Sequence, residues 1–158
     1  MIVFSNTTPI IALSSIQCLH LLPQLFGEIH LVNEVIDECA AGGQIAVPSL
    51  LEISWIKRVF STPIQHNSVL LELDKDEKHT LDMAGKYKAD WIIIDEKIGR
   101  NMAEYLGLRV TGTLGVLLKA KQQDLIPSFL KSVKAMQSQG IYYQTSLINK
   151  LAQTVGEG

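Results

Sequence analysis

Cysteine is scarce in this 158-residue sequence: Cys18 and Cys39 are its two thiols, and they form neither a CxxC pair nor part of a Cys/His cluster. A zinc site and a disulfide framework therefore have no sequence support, and a reducing cytoplasm is the expected setting. Basic excess is missing too. Lys and Arg number 14 against 16 Asp and Glu, a net charge of −2, and the pI is near 6.1. Any affinity for nucleic acid must then come from a local patch or from bound divalent metal. No apolar run approaches the roughly 20 residues that cross a bilayer. The start, Met1 to Ser5, also lacks the basic flank and cleavage region of a signal peptide, so a soluble, unprocessed chain is expected. Linkers, internal repeats and low-complexity tracts are absent. With 47% apolar and 19% charged residues, the composition excludes a charge-driven disordered chain and suits one core, hence one domain over residues 1–158. His20, His30, His66 and His79 show no ligand spacing and read as structural or surface residues.

What is present is an alternation of short apolar strands and helices. Ile2 to Ser5 predicts a strand, followed by a helix with Thr8 as N-cap and Pro9 at its first position. The apolar stretch Ile10 to Phe26, interrupted at Ser14-Ser15 and Pro23, predicts one broken helix or two in succession. Ile29 to Val32 predicts a second strand, and Asn33 a cap for a helix from Glu34 to Ala41 that Gly42-Gly43 ends. Between Ile45 and Thr62 helical and strand spacing fit equally well. Asn67 to Leu73 suits a short helix, and Asp74 with Glu77 makes a capping-box pattern for a helix to about Tyr87. Trp91 to Ile94 is a fully apolar run of the kind buried on both faces of a parallel sheet. Asp95 follows, then a helix to about Leu106, Gly107 as its terminator, a strand over Leu108 to Val110, and helices near Leu114 to Gln122, Pro127 to Gln139 and Ser146 to Val155.

In an open parallel α/β sheet, ligands bind beyond the carboxyl ends of the strands. Asn6 and Asp95 stand just past two such ends, and Glu38 and Glu77 can join them from helices that begin on the same edge. The result is an oxygen-only cluster suited to hard divalent cations, whose waters can attack a phosphodiester.

Ser5-Asn6-Thr7-Thr8-Pro9, Val35-Ile36-Asp37-Glu38, Leu73 to Glu77 before Met83-Ala84, and Ala89 to Glu96 occur in an order that resembles PIN domains. Gly99-Arg100 and Leu106 to Leu117 look like a prokaryotic PIN-like subgroup often encoded beside small antitoxin-like genes. The resemblance covers about residues 1–121, leaving the carboxy-terminal helices of 122–158 outside it, and its segment from Asp90 to Lys121 is the most specific. It implies a three-layer α/β/α sandwich with a mainly parallel sheet and a metal-dependent endoribonuclease that cuts single-stranded RNA. It further implies the toxin of a toxin–antitoxin pair, with an antitoxin protein as partner and self-association into a homo-oligomer. The metal and catalytic positions, for Mg²⁺ or Mn²⁺, fall on Asn6, Glu38, Glu77 and Asp95. Asn6 departs from the family pattern, which has a carboxylate there, and the lost charge weakens the field on a cation.

Each position also has a bland reading. Asp95 suits an N-cap, Glu77 the third position of the capping box, Glu38 a solvated helix face shared with Asp37, and Asn6 a turn residue. Asp82 is expected to be exposed, Asp90 to lie at the far end of its strand, Glu96 to favour the helix dipole, and Arg100 to be a weak phosphate contact. The Thr111 to Gly115 turn has no lysine followed by Ser/Thr, so a P-loop is unsupported. Two rival functions remain open: a catalytically impaired PIN-like module that binds RNA or a protein, and a phosphatase or nucleotide-binding domain of similar architecture.

Overall fold

The computed structural model describes residues 1–158 as a three-layer α/β/α sandwich around five parallel strands in the order β3-β2-β1-β4-β5. The strands are β1 (Val3–Ser5), β2 (Ile29–Val32), β3 (Ile56–Val59), β4 (Trp91–Ile93) and β5 (Arg109–Thr111). Eight helices connect and follow them: α1 (Thr7–Ser15), α2 (Leu21–Phe26), α3 (Asn33–Ala40), α4 (Lys75–Lys86), α5 (Lys97–Tyr105), α6 (Thr113–Gln122), α7 (Phe129–Ser138) and α8 (Thr145–Thr154). Val3, Phe4, Ile92 and Ile93 are wholly buried, which a strand covered on both faces requires. From β1 the chain winds outward through β2 to β3, then returns to lay β4 on the other side of β1. The direction of winding reverses between β1 and β4, and a crevice opens there at the carboxyl edge of the sheet.

Several local expectations change. The first helix starts at Thr7 rather than after Thr8, because the Asn6 N–H still donates to Ile93 O across the sheet at 2.9 Å and the chain turns into the helix at once. Pro9 is tolerated because it falls within the first turn, where the backbone N–H has no helical partner. Asn33 lies inside α3 instead of capping it. The ambiguous stretch resolves into a 3₁₀ turn at Leu50–Glu52 and strand β3, and Val69–Glu72 forms a second 3₁₀ turn. Asp74 occupies the N-cap position of α4, but its side chain makes no capping bond, so the capping box does not form.

The carboxy-terminal helices belong to the same core. Phe129, Val133, Met136, Ile148 and Ala152 join one apolar cluster with the strand residues. Glu157 anchors the end of the chain to the start of α7, accepting from Ser128 Oγ at 2.6 Å and from the backbone N–H groups of Phe129 and Leu130. No helix is long and apolar enough to cross a membrane.

Candidate active site at the carboxyl edge of the sheet

Asn6 follows directly on β1, at the point where the winding reverses. Its residue is 2% exposed, and its Oδ1 has no hydrogen-bond partner. A buried amide oxygen left bare costs about 1–3 kcal/mol, and the cap position next to α1 does not account for it, since the side chain makes no capping bond. A turn role therefore leaves this oxygen unexplained.

Glu77, in the first turn of α4, shows the same feature in a stronger form. It is 6% exposed, and its Oε2 is likewise buried without a partner. Burial, reinforced by the neighbouring carboxylates of Glu96, Asp76 and Asp74, pushes its pKa up to about 7. Gly99 makes the space: a Cβ there would lie 2.7 Å from Glu77 Oε2 and 2.6 Å from Ile94 Cδ1. Gly99→Ala is expected to cost about 1 kcal/mol or somewhat more, measured by urea denaturation. Adding Glu77→Ala removes one of the two clashing groups, so the double variant should lose less than the two single losses together.

Glu38 lies on the exposed face of α3 and is tied to the start of α1 by the Thr7 hydroxyl, which donates to its Oε2 at 3.1 Å. Partial desolvation and then the charge of Asp76 raise its pKa. With Glu34, Asp37, Lys75 and Asp76 it lines an open polar cleft of about 330 Å³. Asp37 is therefore part of the same surface and does not displace Glu38.

Asp95 stands two residues beyond β4, and both oxygens of its carboxylate accept hydrogen bonds. Thr113 donates from its backbone N–H to Oδ1 at 2.7 Å and from its hydroxyl to Oδ2 at 2.6 Å, and the Tyr143 hydroxyl donates to Oδ2 at 2.9 Å. Capping is thus real but serves α6, while α5 is capped by Glu96, whose Oε2 accepts from Gly99 N–H at 2.9 Å. Asp90 lies at the far edge, accepting from Ile2 N–H. Asp82 pairs with Lys86 and stays outside the cluster.

Two groups emerge from this geometry. Glu38 and Asp76 line the open cleft together, the buried Glu77 lies near the exposed Glu96, and Asp95 is held from behind by α6 and the segment before α8. No three Asp, Glu, His or Cys side chains are gathered into a ready cage for an ion. Even so, the donor set is all oxygen, and the bare Oδ1 of Asn6 and Oε2 of Glu77 are acceptors that a hydrated hard cation would satisfy, with waters completing its shell. The residues therefore fit Mg²⁺ or Mn²⁺. Asp76, one residue before Glu77, and Tyr143 were not expected in the site. The acidic run Asp74-Lys75-Asp76-Glu77 gave a signal for the first, and nothing in the sequence marks the second.

A PIN-domain family model matches residues 2–157. Among solved structures, the chain is similar to a PilT N-terminus domain protein from the hyperthermophilic archaeon Sulfolobus solfataricus P2, at 15% identity over 76% of this chain and 93% of that one, with a TM-score of 0.59. At that identity the likeness bears on fold alone. No curated protein matches. On the strength of a match that spans nearly its whole length, the chain belongs to the PIN-domain family of nuclease-type modules.

Proposed function

We propose that the protein is a metal-dependent endoribonuclease that cuts single-stranded RNA, with Asn6, Glu38, Glu77 and Asp95 arranged about Mg²⁺ or Mn²⁺ as metal and catalytic groups. The observation that carries this reading is the pair of buried acceptor oxygens without partners, one on Asn6 at the reversal point of the sheet and one on Glu77 in the first turn of α4. When bound, a divalent ion supplies water of lowered pKa and draws charge off the phosphodiester. The chain's own residues do the rest. Asn6 and Glu77 hold the inner oxygens, Glu38 and Asp76 present negative charge at the mouth, and Asp95 is kept in one orientation by Thr113 and Tyr143. The preference for unpaired RNA rests on Phe60, immediately beyond β3 on the same edge. Its ring is 64% exposed, with the Arg58 guanidinium 4.5 Å from the ring centroid, and it offers a surface on which an unpaired base can stack. The same reading makes the protein a cytoplasmic toxin held by an antitoxin protein, assembled as a homo-oligomer.

One observation favours the impaired module instead: Asn6 brings no charge, and three protein donors already compete for the Asp95 carboxylate. Asn6→Asp separates the two. A carboxylate binds a hard cation more strongly than an amide oxygen, so this variant is expected to tighten Mn²⁺ binding about tenfold and to raise cleavage of single-stranded RNA. Calorimetric titration and an RNA degradation assay, with Asn6→Ala as control, check this. Unchanged Mn²⁺ affinity would discard the metal site. Tighter binding without cleavage would favour the partner-binding module.

A further inference from the structure

A cavity of about 250 Å³ opens beside Asp95, between α5, β5, α6 and α8. Val110, Leu114, Leu147 and Leu151 form its apolar walls, Tyr143 contributes its ring, and Arg100 supplies a cation. That cation is unspent. The chain's two ion pairs, Lys57–Glu28 and Lys86–Asp82, lie elsewhere, and the half-buried Arg100 side chain makes no hydrogen bond. Asp95 does not need it, because three donors already satisfy its carboxylate. Gly112 brings the two together: a Cβ there would stand 2.7 Å from Arg100 Nη1 and 2.7 Å from Asp95 Oδ1. A guanidinium without a hydrogen bond or ion pair thus stands beside the Asp95 carboxylate, in a recess that Thr111 and Tyr143 line together with the apolar walls.

We propose that this recess is a nucleotide subsite: Arg100 grips the phosphate of a nucleotide flanking the scissile bond, and the walls of β5, α6 and α8 receive its base. The chemistry fits the ligand class. Guanidinium forks pair with phosphate oxygens, and small-ligand pockets combine apolar lining with a few placed polar groups. The recess is too small for more than about one nucleotide, and its apolar walls and the adjoining Asp95 carboxylate disfavour a bare anion. This assignment rests on the nuclease reading for its place in a reaction, but its ligand can be tested without metal.

The test is calorimetric titration of the full chain, free of metal, with nucleoside 5′-monophosphates, the matching nucleosides and inorganic phosphate. The monophosphates are expected to bind more tightly than either fragment. Arg100→Ala should weaken them about tenfold and abolish their advantage over nucleosides, with Arg100→Lys restoring part of it. Leu147→Ala, at a position 42% exposed and so free of core cost, should weaken nucleosides and monophosphates alike while leaving phosphate unchanged. Monophosphate affinity that ignores Arg100, or no saturable binding by any probe, would overturn the subsite. Mn²⁺ is titrated into the same proteins separately. No saturable Mn²⁺ binding by the natural protein, with its nucleotide binding intact, would strike the nuclease reading and uphold the pocket.

Discussion

Asp95→Ala is expected to destabilise the fold by about 3 kcal/mol, because a carboxylate that accepts three hydrogen bonds leaves three donors bare when it is removed. The donors are Thr113 N–H, the Thr113 hydroxyl and the Tyr143 hydroxyl. Two of them open helix α6, and the third holds the segment that leads into α8. Tyr143→Phe should cost about 1 kcal/mol alone, and should cost less once Asp95 is alanine, because the bond it breaks is then already gone. Asp95→Asn should fall between, since its amide keeps one acceptor but turns an N–H toward hydroxyls that must then rotate. Urea denaturation at neutral pH gives all of these values. A loss below about 0.5 kcal/mol for Asp95→Ala, the range of ordinary surface substitutions, would mean that the carboxylate is not committed to these contacts.

Glu77→Gln is expected to act in the opposite direction, and only above a certain pH. In the unfolded chain this carboxyl titrates near its ordinary value of 4.5, while in the fold burial, helped by Glu96, Asp76 and Asp74, holds it at about 7. Between those values the unfolded chain releases a proton that the folded one keeps, so stability falls as pH rises through the window and stays lowered above it. Without metal, the glutamine variant should therefore match the natural protein at pH 4 and exceed it by about 2 kcal/mol at pH 8. Thermal melts at pH 4, 6 and 8 check the sign and the window. A difference that does not change with pH would show that the charge on Glu77 is not what strains the fold.

How far the sequence foretold this arrangement depends on which force governed each residue. Trp91 to Ile94 was legible because a strand covered on both faces must be apolar throughout, and the placement of Asn6 and Asp95 followed from the strand ends. Strand β3 was not legible. It lies at the edge of the sheet, and Ile56 and Val59 are buried while Lys57 and Arg58 between them are exposed, a pattern with no twofold alternation to read. Glu77 fitted a capping box by spacing, but its burial beneath Gly99 overrode that local preference. Asp95 suited a cap for the helix just after it, but Glu96 caps that helix; the helix Asp95 does cap begins 18 residues later, and only the fold brings that helix to it. Tyr143 had no signal at all, since a tyrosine between two helices carries no motif and its partner lies 48 residues away.

That 48-residue separation gives the protein a sense of time. A chain is made from its amino end at about 5–20 residues per second, so about 2–10 s pass between the synthesis of Asp95 and that of Tyr143. During this interval the central strands can pair, but the carboxylate lacks its last tether and the recess beside Arg100 lacks the wall that α8 provides. An emerging chain would thus carry Asp95 without its last tether, and the edge of the sheet would be completed late in synthesis, when the segment around Tyr143 closes over it.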